Sequence, residues 1–463
     1  MLTYAVEQFF ESGGRRAIVV RVVNGAHPPT LSIPAGTQLL RLRGVNPGSR
    51  EYLRASVDYD GIEAHEADRF NLVVQRVRIP GSELIEDQEI FRRVSIKEGS
   101  SRFVCDAMLE SKLARPCGDV PAVRPDRTLS GTSGPLIGYV HSNPDGDDGA
   151  PLSDYDIIGS AARGTGLFAF SQDDQFDLMC IPPLGRSQDV GSTALLVAAR
   201  LCRERHATLL VDPPLEWSSA QHALTQLRAW PFRSDNALMF FPRMLAADRL
   251  RNRIETFGSA AVAAGLIARA EESSPLWSPA AAEELSLRPG MRPALSVTEA
   301  ERLQLARAGV NTLPATRSAA GTAPALCTLS PGSGRAADGH HFGARRLAGY
   351  VIAGIERRTR ALATATPVPE TWARARDEAE ALLGELAAAG AFAGSEPREQ
   401  YFVVCDERVN RAGRHAPGGF SLLTGFAPIR PGDFETWLVT YEAGRCYSRP
   451  IAVNRMAASR LSA

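Results

Sequence analysis

Tyr401-Phe402-Val403-Val404-Cys405-Asp406 and Phe434-Glu435-Thr436-Trp437-Leu438-Val439-Thr440-Tyr441 are the stretches from which the fold is read. The first is an apolar run stopped by a charge, the pattern of a strand buried on both faces. In the second, alternation across the pleat puts Phe434 and Leu438 on one face and Trp437, Val439 and Tyr441 on the other. The two read as a strand pair with apolar residues on both sides. The chain's own helices can cover one side; the other side calls for something else.

Working outward, a helix is expected from Phe342 to about Thr364 and a second from Glu370 to Ala389. The second carries Trp372, Ala379, Leu382, Leu383 and Leu386 on one face, and Gly390 is its stop. Helices and small sheet make a C-terminal α+β domain, residues 342-444, followed by an arm, 445-463. Before them, residues 313-341 hold an Ala/Ser/Gly/Thr/Pro-rich tongue, Ala315 to Gly339.

Residues 151-312 alternate strand and helix: Phe176–Ile181, Val190–Arg205, Thr208–Val211, Trp217–Trp230, Ala237–Phe241 and Ser259–Ala270. Such repeats predict a central, largely parallel sheet with helices on both faces. Residues 24-150 read as a β-rich insertion with strands at Arg50–Tyr59, Phe70–Ile79 and Ser101–Asp106, closed by a solvated loop from Ser142 to Gly149. Residues 1-23 give a helix with Leu2, Val6, Phe9 and Phe10 on one face, stopped at Gly13-Gly14, and then a β-branched strand, Ala17 to Val23. The fold class is a multidomain α/β and α+β chain.

At 463 residues, the length calls for two to four domains. With 52 basic and 52 acidic residues the formal charge is zero, which argues against a general polyanion binder. Lys97 and Lys112 are the only lysines, so neither a Walker A lysine nor a Schiff-base lysine is available beyond residue 112. The seven cysteines are scattered without any Cys-x-x-Cys pair, as in a reducing compartment. Glu7 and Gln8 interrupt the first apolar stretch, so it does not read as a signal peptide, and no run approaches transmembrane length.

Catalytic patterns fail one by one. His65-Glu66 begins a metalloprotease motif, but Arg69 stands where the second histidine belongs. Cys202 and His206 lie one helical turn apart, yet a packed thiol beside a surface histidine accounts for them. Asp338, His340 and His341 read as a solvated loop cluster. Ser133 lacks the glycine spacing of a nucleophile elbow, and Gly164-Thr165-Gly166 precedes a strand instead of following one. Asp212 ends a parallel strand, where α/β ligands bind, and is the best polar candidate for an enzyme on the central layer. No catalytic, metal or cofactor residue is assigned.

Several stretches, in order, resemble the contractile tail sheath family of phages and related injection machines. Tyr4-Ala5-Val6, Phe9-Phe10-Glu11-Ser12-Gly13-Gly14 and Val19-Val20-Arg21-Val22 are similar to its "AV–FFxNGG–VVRV" segment. Phe70-Asn71-Leu72-Val73-Val74 with Glu89-Ile90-Phe91 resembles its β-rich insertion, and Gly258 to Arg269 its small-residue helix, with Trp277-Ser278-Pro279-Ala280 after it. Gly309-Val310-Asn311-Thr312-Leu313 resembles "GINTL", Phe342-Gly343-Ala344-Arg345-Arg346-Leu347 "WGARTL", and Ala427-Pro428-Ile429-Arg430-Pro431-Gly432-Asp433-Phe434 "APxRPAEF". The tongue and Arg346 depart from the family pattern.

The resemblance implies a mechanical role. Subunits would form a helical homo-oligomer around an inner tube protein, between baseplate and terminator proteins, and shorten to drive the tube through a target envelope. It also implies assembly in the bacterial cytoplasm into a virion tail or injection particle, with no nucleic acid partner and no direct membrane insertion. Arms from neighbours would complete the small sheet by β-augmentation, so Phe402, Val404, Phe434, Trp437, Val439, Tyr441, Cys446, Tyr447 and Ile451 are the expected strand and arm interface. The family has an N-terminal arm and a first core strand ahead of the segment that here starts at Met1. Either the protein starts upstream of Met1, or this is a specialised relative that terminates or regulates a sheath without polymerising.

Overall fold

The computed structural model of the chain describes residues 1–128, 138–171, 174–272, 274–277, 285–313, 326–330, 342–411, 419–442 and 444–451. Ser133, Ser278 to Ala280, most of the tongue with Asp338, His340 and His341, and the end of the arm from residue 452 lie outside these residues. Two compact units form, one of Met1–Val20 with Ile157–Ala463 and one of Arg21–Asp156.

The chain opens with α1, Leu2–Glu11, closed by Gly13 at φ +116°. The expected strand from Ala17 to Val23 is not formed: these residues carry no strand pairing, and Val19 is half exposed. Their β-branched propensity is real, but propensity makes a strand only where a neighbour supplies hydrogen bonds.

In the unit Arg21–Asp156, β1 (Thr30–Ala35), β2 (Gln38–Gly44), β3 (Tyr52–Asp58), β4 (Arg69–Val77) and β5 (Ile85–Ser95) precede α2 (Val104–Ala107), β6 (Ala114–Pro116) and β7 (Val140–His141). They form two antiparallel sheets, ordered β1-β2-β6 and β5-β4-β3-β7, over one core that includes Leu31, Ile33, Leu53, Phe70 and Leu72. The strand expected at Ser101–Asp106 is instead a turn running into α2, because Phe103 N–H bonds back to Ser100 C=O at 3.0 Å. The acidic loop before Gly149 is tied down rather than simply solvated. Asp145 accepts from the Thr30 amide and hydroxyl, and Asp148 from those of Ser49.

After α3 (Asp154–Ile158), the larger unit builds its central layer from β8 (Leu178–Cys180), α4 (Ser192–Glu204), β9 (Thr208–Val211), α5 (Ala220–Ala229) and β10 (Ala237–Met239). The strands are parallel in the order β10-β9-β8, as the strand–helix alternation requires. Gly164 and Gly166 lead into a 3-10 turn, Gly166–Ala169, not the strand expected there. A hairpin unexpected from sequence follows, β11 (Met244–Asp248) and β12 (Arg253–Phe257), joined by β13 (Arg292–Pro293).

Between hairpin and β13 runs α6, Ala260–Ala270, whose small side chains let it be covered on two sides, by the sheet and by α1. Gly265 marks the closest approach: a Cβ there would stand 2.3 Å from the Phe9 carbonyl oxygen. The other end of α1 is anchored where the Tyr4 hydroxyl donates to Asp248 Oδ1 at 2.7 Å and Arg186 pairs with the same carboxylate. Burial alone would raise the Asp248 pKa. The Tyr4 hydroxyl, the Arg251 amide and Arg186 outweigh it and hold the carboxyl at about 2.

Downstream lie α7 (Glu299–Arg307) and the Gly309–Leu313 segment. Asn311 clamps the edge of the parallel sheet there: its amide donates to Cys327 C=O at 2.8 Å and Met239 C=O at 3.2 Å, and its oxygen accepts from Cys327 N–H. Then come α8 (Phe342–Thr359), α9 (Pro369–Ala388), α10 (Pro397–Gln400) and the strands β14 (Tyr401–Val404), β15 (Phe420–Phe426), β16 (Glu435–Glu442) and β17 (Arg445–Ile451). Tyr401–Asp406 and Phe434–Tyr441 fall on β14 and β16. They are not a pair, since β15 lies between them.

Candidate assembly interface

The C-terminal sheet is antiparallel throughout, in the order β14-β15-β16-β17. Its central strand, β15, is buried at every position. Phe420, Leu422, Trp437, Val439 and Tyr441 belong to the core formed with Leu347, Val351, Ile355, Leu382 and Leu383 of α8 and α9. Tyr441 stacks on Phe420 with centroids 4.4 Å apart, and its hydroxyl shares a 2.5 Å hydrogen bond with Thr359. Burial holds that phenol above its ordinary pKa, so it stays a neutral hydrogen-bonding group.

The opposite face carries a smaller cluster: Phe402, Val404, Val409 and Leu423 buried, with Phe434, Leu438 and Ile451 partly buried against them. Phe402 lies across Gly425, where a Cβ would meet its ring at 2.3 Å, and meets Phe434 edge to face at 5.1 Å. Glycine leaves room for an aromatic ring from the neighbouring strand to lie over the backbone.

The edges differ. At one side β14 is four residues long. At the other, the residues expected as an outgoing arm are, from Arg445 to Ile451, paired along β16 from Glu442↔Arg445 to Thr436↔Ile451. A tight hairpin at Gly444, φ +73°, permits this return. Most of β17 faces water: Tyr447 is 51% exposed, and Pro450, which has no N–H to give, suits an edge strand.

The nine expected interface residues therefore divide. Trp437, Val439 and Tyr441 lie under the chain's own helices; Phe402 and Val404 are buried on the opposite face. Phe434 and Ile451 are partly exposed, Cys446 is partly exposed against the helix-side core, and Tyr447 is exposed. Sequence reading missed β15 because Ser421, Thr424 and Gly425 interrupt its apolar run. In the sheet Ser421 and Thr440 hydroxyls bond at 2.9 Å, and Thr424 donates to the Phe402 carbonyl.

Arginines at the start of α8 tie the C-terminal sheet to the parallel layer. Arg345 donates to Glu435 of β16 at 2.9 Å and to Asp235, before β10, at 3.0 Å. Arg346, the residue that departs from the family pattern, is almost fully buried and grips Glu271 with two hydrogen bonds, at 3.0 and 2.7 Å. His206, expected on the surface of a helix, sits beyond the end of α4 in a left-handed conformation, φ +55°. Its side chain is largely buried against Glu356 at 3.2 Å. Cys202 is the packed thiol expected, buried against Met179. Among the described residues no group of three or more His, Cys, Asp or Glu could hold a metal ion, and no helix is long and apolar enough to cross a membrane.

A cleft of about 390 Å³ opens where β8 and β9 end, lined by Asp189, Ser192, Asp212 and Trp230 among others. Two of its acids, Asp189 and Asp212, are engaged by the fold. Asp189 pairs with Arg243 and accepts from the Leu215 amide, while Asp212 accepts from the Ala260 amide at 2.8 Å and so caps α6. Gly258 lets Asp212 in, since a Cβ there would overlap its carboxylate.

The chain matches no family profile and no curated protein. Chains of contractile particles are among the solved structures to which this chain is similar. The sheath complex of the extracellular contractile injection system PVC, in its contracted state, is 22% identical, with a TM-score of 0.42 over 57% of this chain and 70% of that one. The contracted helical sheath of the anti-feeding prophage is 16% identical, with a TM-score of 0.44 over 64% and 75%. A chain of that prophage's baseplate is 16% identical, with a TM-score of 0.45 over 64% and 74%.

Proposed function

We propose that the chain is a structural subunit of a contractile sheath, polymerising around an inner tube and shortening to drive that tube through a target envelope. The observation that carries this reading is the C-terminal sheet. It is built on α8 and α9, held to the central layer through Arg345 and Arg346, and bordered by a mostly exposed strand, β17, that a single tight turn joins to its neighbour. A strand that pairs by backbone hydrogen bonds and buries little side-chain area can be traded for the equivalent strand of another copy at small net cost.

The motifs resembling the sheath family support the reading by where they fall. Five of them fall at structural joints: the α1 stop, the α6 layer, the Asn311 clamp, the arginine pair and the turn before β16. Asp212, the best candidate for catalysis, is occupied in capping α6. The partners are then further copies of the chain, the inner tube protein, and baseplate and terminator proteins, assembled in a bacterial cytoplasm into a virion tail or injection particle.

Negative-stain microscopy of the purified protein, alone and with its tube protein, should reveal tubes or ring fragments. Removing residues 445–463 should abolish them while a cooperative melt persists. Tubes that survive the truncation would remove the arm from the reading. Discrete particles under every condition would favour a non-polymerising relative.

A further inference from the structure

The unit Arg21–Asp156 carries two exposed surfaces of opposite character. On the outer face of β1-β2-β6, Leu39, Arg41 and Arg43 alternate with buried Leu40, Leu42 and Gly44. Arg43 stands directly opposite Arg115 of β6. All three arginines are exposed, and among the described residues none forms an ion pair. Like charges facing each other across a strand pair destabilise a sheet, and an arriving anionic surface would relieve that repulsion.

The second surface is the tip of the β4–β5 hairpin, Arg78-Ile79-Pro80-Gly81-Ser82-Glu83-Leu84-Ile85-Glu86-Asp87. Ile79, Leu84 and Ile85 are 61%, 62% and 46% exposed, unusual for three large aliphatic side chains within seven residues. Three acids, Glu83, Glu86 and Asp87, and one arginine, Arg78, flank them, so the rim is acidic on balance. The Glu83 side chain is 90% exposed, and Asp87 touches Arg76 only at 3.9 Å. The tip thus has an apolar centre and an acidic rim; the β2 face has Leu39 beside a cluster of arginines.

We propose that these surfaces dock head to tail between copies of the chain, the hairpin tip of one on the arginine face of the next. The two surfaces differ, so the contact is heterologous and can propagate along an array rather than close as a symmetric dimer. It is a second linkage, independent of any strand exchange at β17. Because it is small and rim-charged, it should be weak and strongly salt-dependent.

Sedimentation velocity of the full chain tests this. At roughly 50 mM salt the weight-average sedimentation coefficient should rise with protein concentration, and at about 500 mM that rise should vanish. Arg41→Glu with Arg43→Glu should abolish the rise, and so should Glu86→Arg with Asp87→Arg. The chain carrying all four substitutions should regain it, because both surfaces are then reversed together. Equal melting temperatures across the set would show that folding is intact. Charge reversals that leave the rise unchanged, or a fourfold variant that does not recover, would overturn the proposal. So would duplex-DNA binding by the wild-type chain that Arg41→Glu/Arg43→Glu abolishes while self-association is untouched. Tubes that form while the charge reversals leave the rise unchanged would remove this surface and leave the sheath reading in place; charge-swap recovery in a chain that forms no tubes would do the reverse.

Discussion

The two faces of the C-terminal sheet are built from the same strands but are covered differently. Toward α8 and α9, Phe420, Val439 and Tyr441 are sealed from water and Trp437 nearly so. Toward the other side, Phe434, Leu438 and Ile451 are only partly covered. Strand alternation assigns residues to faces, but helix cover decides which face is a finished core. The helix face should therefore report on stability, and the thin face and its β17 edge on assembly.

The sharpest test of that division is Tyr441→Ala. It removes the stack on Phe420 and the hydrogen bond to Thr359, and should cost about 3–5 kcal/mol in chemical denaturation. A loss near 1 kcal/mol would mean that the helix face is looser than its burial implies. On the thin face, Gly425→Ala forces a methyl into the Phe402 ring, at a cost of about 1–3 kcal/mol. Adding Phe402→Ala should make the double variant cost less than the two single losses together, because the clash has gone. Strict additivity would place the Phe402 ring elsewhere. Leu438→Ala should cost only about 1 kcal/mol, since Leu438 keeps part of its surface in water, yet it should reduce tube formation visibly. Normal tubes from Leu438→Ala would take the thin face out of the interface.

The sequence revealed this sheet only in part, and the gaps have physical causes. β14 and β16 are legible because unbroken or alternating apolar residues announce burial. β15 is equally buried but carries Ser421, Thr424 and Gly425, whose hydroxyls and missing side chain make sense only against Thr440 and Phe402 of the neighbouring strands. Ala17 to Val23 errs the other way: strong β propensity, no pairing. The arginine joint was visible as a motif, but Asp235, Glu271 and Glu435, its acid partners, lie far apart in sequence. The capping role of Asp212 was hidden because the α6 amide it serves lies 48 residues downstream.

The smallest effect concerns Glu435, which begins β16 on the helix side and joins the two faces' fates to the central layer. Burial raises its pKa above the ordinary 4.5 even though Arg345 pulls it down. The folded protein therefore holds a proton on Glu435 at pH values where the unfolded chain has lost it. Stability then falls as pH rises from about 4.5 through the raised folded value, and stays lower above it. Glu435→Gln cannot titrate and lacks that decline. Subtracting its unfolding free energy from the wild type's, between about pH 4 and pH 7, should give a difference that falls with rising pH, whatever constant offset the lost Arg345 pair contributes. A difference that rises instead would mean that the attraction of Arg345 outweighs burial. The joint between sheet and layer would then be held by charge rather than merely tolerating it.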